Sequence, residues 1–97
     1  VDIEQLFLCK LAEECSEVIQ LCMKAQQFGL DSVDPKSGST NKELLHGELN
    51  DILGVVGALN IFNQFDFQES DLAKLQKHDK MLKYLKISQE LGRVKEW

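Results

Sequence analysis

No apolar run approaches the ~18 residues that a membrane-spanning helix requires, and no signal-peptide pattern opens the chain. Strand signals, internal repeats and low-complexity tracts are also missing. Cysteine is present three times, as Cys9, Cys15 and Cys22, but never as C-x-x-C. With only two histidines and no ordered His/Cys spacing, a zinc site is disfavoured. Lys and Arg do not exceed Asp and Glu: the net charge is −5. That balance argues against a general binder of DNA or RNA, which holds polyphosphate through a basic excess. It leaves a nucleotide ligand open, because a bound divalent cation inverts the local charge.

What remains is an ordinary globular composition, 43% hydrophobic and 28% charged. Ninety-seven residues suit a single domain spanning 1–97. A chain of this size buries only about 60–70% of the surface its unfolded form exposes. Covering a helix face with a second subunit would strengthen so small a core. The cysteines share one helix, so pairing among them is not expected; they read as small buried thiols of a reducing compartment, with a cytoplasmic location the default. The chain opens at Val1 rather than Met, which suggests that its natural start lies upstream.

Helical periodicity dominates, and the expected fold is all-α, a bundle of three to four helices completed by oligomerisation. The first helix is expected from Ile3 to Phe28, with no Pro or Gly inside it and apolar positions at Leu11, Cys15, Val18, Ile19 and Cys22. Gly29 is a natural stop. Residues 29–41 (GLDSVDPKSGSTN) form a long loop with Lys36 and Lys42 in or beside it. Thr40 and Glu43 make a T-x-x-E capping box, starting a second helix near Asn41 that runs to about Asn63. Its ILGVVGALNIF stretch is apolar nearly all round, so it should be central or at an interface. Gly54 and Gly57 suggest close approach by a neighbouring helix. Ser70 is a plausible cap for a third helix, apolar at Leu72, Leu75, Met81, Leu82 and Leu85 and basic at Lys74, Lys77, Lys80, Lys83 and Lys86.

Two acid pairs carry the chemistry. Glu14 and Glu17 project from one side of the first helix, and Glu48 and Asp51 from one side of the second. Acids on a helix are usually solvated. Glu48 and Asp51, however, share their arc with Leu44, Ile52, Val55 and Leu59, and buried ionised acids need a partner or a metal. Like charges about 4 Å apart repel by about 4 kcal/mol at an effective dielectric near 20. Four together protonate in part or bind a divalent cation. Oxygen donors favour Mg2+, with Mn2+ able to substitute.

The stretches KLAEECSEVIQL and ELNDILGVV together resemble the E-x-x-E…E-x-x-D signature of MazG-type nucleoside triphosphate pyrophosphohydrolases, the all-α NTP pyrophosphatase superfamily. The resemblance spans about Lys10 to Asn60. It implies Glu14, Glu17, Glu48 and Asp51 as metal ligands and a helical bundle that forms dimers or tetramers. Glu13 completes an E-E-x-x-E form and would orient a ligand or water. The implied reaction is hydrolysis of an NTP or dNTP to the monophosphate and pyrophosphate, by in-line attack of water activated at Mg2+. The 30 residues between Glu17 and Glu48 exceed the spacing of compact members, which opens the question of base specificity.

Other residues have two readings each. Lys77 and Lys80 match the basic residue that the family tends to place after its second motif, or are solvated charges. Lys10 is a phosphate contact or an i,i+4 ion-pair partner of Glu14. Asn60 and Asn63 touch a base or ribose, or satisfy backbone groups. His46 and His78 suit surface or cap roles, and Trp97 stacks on a base or packs on a neighbour. Three functions compete: nucleotide pyrophosphohydrolysis in pool clean-up, phosphoribosyl-ATP pyrophosphohydrolysis on the same scaffold, and a non-catalytic helical interaction module. The last expects Glu48 and Asp51 to point away from Glu14 and Glu17.

Overall fold

The computed structural model describes residues 1–95; Trp97, considered above for stacking, lies outside them. The fold is all-α, with helices α1 (Ile3–Phe28), α2 (Asn41–Asn63) and α3 (Asp71–Glu90). The only strand-like pairing among the described residues is one isolated antiparallel bridge, Val33 with Thr40. No helix is long and apolar enough to cross a membrane. The chain divides into two compact units, Val1–Phe67 and the segment from Gln68 onward.

Local chemistry explains each helix boundary. Asp2 and Gln5 form a reciprocal capping box at the start of α1, and Thr40 and Glu43 form another at the start of α2. The Ser70 side chain accepts from the Ala73 N–H to begin α3. Gly29 ends α1 at φ 97°, a backbone conformation open to glycine at little cost. α2 ends at Gln64, which adopts the left-handed conformation without being glycine. The turn beyond it is tied back by Asn60, whose amide donates to the Phe67 carbonyl at 3.0 Å and accepts from the Phe67 N–H at 2.9 Å. Those two bonds offset the strain at Gln64 and at Asp66, which also has positive φ.

The first unit is an antiparallel helical hairpin. Phe7 near the start of α1 meets Phe62 near the end of α2, edge to face with centroids 5.6 Å apart. At the other end, Asn41 of α2 donates to the carbonyl of Gly29 at 3.0 Å. The half-buried seam of α1 is Phe7, Leu11, Glu14, Val18, Leu21 and Ala25, spaced alternately by four and three residues. The facing seam of α2 follows the same rhythm through Asn41, Leu45, Glu48, Ile52, Val55 and Leu59. A carboxylate thus occupies one seam position on each helix.

Among the described residues, Leu59 is the only apolar side chain that is fully buried, at 1% exposure, and the rest of the apolar surface of α2 is half-buried or exposed. Cys9, Cys15 and Cys22 are free, as expected, but exposed rather than buried, because the seam runs along the other positions of α1. Ile19, expected on the apolar side, is exposed for the same reason. Apart from the glycines' own turns of α2, no atom among the described residues lies within 4 Å of where a Cβ would stand on Gly54 or Gly57, so no other helix approaches them closely within the chain. On α3, Leu72, Leu75, Met81 and Leu82 are exposed and Leu85 is half-buried.

Candidate metal centre

Glu14 and Glu17 lie one turn apart on α1, and the hairpin register sets Glu48 of α2 opposite them. One carboxylate oxygen from each of the three lies within 4.8 Å of the other two. Glu14 and Glu48 are half-buried because they sit in the seam, whereas Glu17 reaches in from its exposed flank. The Oε2 atoms of Glu14 and of Glu48 are both buried and have no hydrogen-bond partner. A buried, unpaired carboxylate oxygen is costly, so these two atoms call for a cation or a proton.

The proton answer falls on Glu48. A proton on Glu48 would be shared first with Glu14 and then with Glu17; that sharing, together with burial and the repulsion of both charges, pushes its pKa up to about 8. The cation answer fits the donor set equally well. All three donors are carboxylates, with no nitrogen or sulfur among them, the ligand chemistry of Mg2+ and Mn2+ rather than zinc. The residues present therefore fit a hard divalent ion.

Asp51 is not one of the converging carboxylates. It is exposed, one turn beyond Glu48, and with Glu14, Lys10, Asn50 and Gly54 it lines an adjoining groove of about 460 Å³. An aspartate is one methylene shorter than a glutamate, and on the flank of α2 it opens to the groove rather than to the seam. Gly54 keeps that groove open, since no side chain rises from its floor. A second groove, of about 200 Å³, lies on the Glu17 side and includes Glu48 and Lys24.

Lys10 pairs with Glu13 at 3.2 Å, an i,i+3 pair rather than the i,i+4 pair with Glu14. Glu13 is thereby turned along its own helix, and both partners are exposed. Asn60 has both ends of its amide engaged by Phe67, so the backbone role is the one the geometry displays. Asn63 has a buried Oδ1 without a partner. Lys77, Lys80 and His78 are exposed on α3, in the second unit, and His46 is exposed on α2. Lys42 pairs with Asp31 at 3.4 Å across the base of the loop.

Lys24 and the 29–41 loop contain what the acid motif did not reveal. Lys24 stands 3.9 Å from Asp34, whose carboxyl is held below the usual range by hydrogen bonds from Ser37. The signal for Lys24 was its position seven residues after Glu17, which returns it to the same side of α1. In comparisons with known proteins, no family model, no curated protein and no solved structure matches this chain.

Proposed function

We propose that the chain is a Mg2+-dependent nucleoside triphosphate pyrophosphohydrolase of the MazG type, acting on an NTP or dNTP to clear unwanted nucleotides. The observation that carries this reading is the pair of buried, unpartnered oxygens on Glu14 and Glu48, facing each other across a helix seam with Glu17 beside them. A solvated acidic face would leave Glu48 turned to water. The motif resemblance across both helices supports the same reading.

Glu14, Glu17 and Glu48 would hold the cation, with Asp51 on the wall of the adjoining groove beside them. Mg2+ bound there supplies a Lewis acid that activates water and neutralises phosphate oxygens. Glu13 orients a ligand or water once its pairing with Lys10 loosens, and Lys10, which lines the groove, then meets phosphate. The working species is a homodimer or homotetramer, in which a second copy covers exposed Leu49, Leu53, Ile61 and Phe62 on α2. Free thiols on α1 suit a cytoplasmic setting.

The test is pyrophosphate release from a panel of NTPs and dNTPs with Mg2+. Release from at least one, lost in Glu48→Gln with helicity retained, supports the proposal. Release from phosphoribosyl-ATP alone transfers the activity to that substrate. No release from any of them, with no cation uptake, overturns it.

A further inference from the structure

The groove beside the acid cluster continues past Glu17. Lys24, two turns further along α1 and about 10 Å away by helical rise, lines that groove and also the wall of a larger pocket beneath the loop. This pocket has a volume of about 430 Å³, within the range of roughly 300–1,000 Å³ that small-molecule sites occupy. We infer that it takes a nucleobase, the ring of the nucleotide whose phosphates lie at the acid cluster. The phosphate half of that statement rests on the function proposed above; the ring half rests on the pocket alone.

The walls suit a flat heteroaromatic ring. Phe28 and Val33 are 69% and 57% exposed at its edge, and Pro35 adds a third apolar surface. Every base presents a π-face to such a surface. The floor carries a fixed polar reader. Asn41 is 4% exposed, its amide nitrogen is committed to the Gly29 carbonyl, and its Oδ1 accepts no hydrogen bond among the described residues. An amide anchored through its nitrogen presents its oxygen to a base N–H. Lys36, on the same pocket, makes no ion pair among the described residues and offers a donor to a ring carbonyl.

The pocket is also built in advance of any ligand. The Asn41 N–H donates to the Ser32 carbonyl at 3.0 Å, Lys42 N–H to Leu30 at 2.9 Å, and Asp34 N–H to Ser39 at 2.8 Å. These bonds close the loop on itself, so little ordering is needed on binding. With Asp34 offsetting one of the two lysines and apolar walls predominating, the site favours a ring over a bare phosphate.

The experiment is an amide-resonance titration of the full chain with adenosine, guanosine, cytidine and uridine, free of phosphate and metal. At least one nucleoside should shift Phe28, Val33 and the Asn41 side-chain amide while leaving Glu14 and Glu48 unmoved. Phe28→Ala should weaken that binding about tenfold, and Lys36→Ala, at an exposed loop position, should weaken it independently. Absence of shifts with all four nucleosides at millimolar concentration overturns the inference, as do shifts unaffected by both substitutions. Nucleoside shifts without cation uptake or hydrolysis would keep the pocket and remove the pyrophosphohydrolase; hydrolysis without them would do the reverse.

Discussion

Glu48 of α2 stands against Glu14 of α1 in the seam of the hairpin, each with a buried Oε2 that no hydrogen-bond donor reaches. Apolar side chains at both positions would pack more cheaply, since a buried ionised pair of one sign loses hydration and gains repulsion.

The pH dependence follows from that pair. Glu48 titrates near 8 in the folded chain, against 4.5 as the ordinary value, chiefly through sharing with Glu14 and then Glu17. Its folded pKa is raised, so its contribution to stability is complete below 4.5 and is lost as pH rises through about 8. The metal-free chain should therefore melt at progressively lower temperature across that window. Glu48→Gln should flatten the profile, and millimolar Mg2+ should restore the melting temperature on the alkaline side. A metal-free melting profile that stays level over this range would refute the shared proton.

Ion uptake should separate the acids. If the proposed ion binds at the cluster, Glu14→Gln and Glu48→Gln should each weaken Mn2+ binding by at least about tenfold, because each replaces a charged carboxylate with a neutral amide. Asp51→Asn, outside the converging set, should leave most of the Mn2+ affinity intact in the absence of nucleotide. Isothermal titration with Mn2+ alone checks all three; equal losses would put Asp51 in direct contact with the ion.

Asn60→Ala should destabilise the first unit by about 1 kcal/mol, by removing the two bonds to the Phe67 backbone and loosening the turn after α2. The readout is urea unfolding combined with Mn2+ titration. Loss of stability with unchanged ion affinity fits the backbone role. A change in nucleotide KM at unchanged stability would return Asn60 to the substrate.

Association is the fourth expectation. With Leu59 the only fully buried apolar side chain among the described residues, the exposed row on α2 should drive copies together at micromolar concentration. Sedimentation should give a mass well above 11.0 kDa, and Leu53→Glu should return it toward the monomer. A wild-type chain that sediments as a monomer contradicts the proposed assembly.

Helix boundaries were legible because their signals are local: Thr40 with Glu43, Ser70 and Gly29 act within a few residues of themselves. The convergence of Glu14, Glu17 and Glu48 was legible from spacing, since helical period fixes which side a residue occupies. Period does not fix reach. Asp51 falls outside the cluster, and Lys10 turned to Glu13 instead of Glu14, because side-chain length and rotamer decide contacts between neighbouring turns. The cysteines were misplaced because apolar spacing cannot distinguish a face covered by the same chain from one left open. The pocket between Lys24 and the loop was invisible for a different reason. It depends on backbone bonds such as Asn41 to Ser32, which no side-chain pattern encodes.

Two of the three converging oxygens come from α1 and the third from α2, with the whole loop between them. Cutting the chain near Gly38 would therefore produce two peptides, neither of which contains all three converging carboxylates. If the proposed ion binds between them, their reassembly should depend steeply on free divalent ion, making the cleaved hairpin a reconstitution sensor that responds without any nucleotide present.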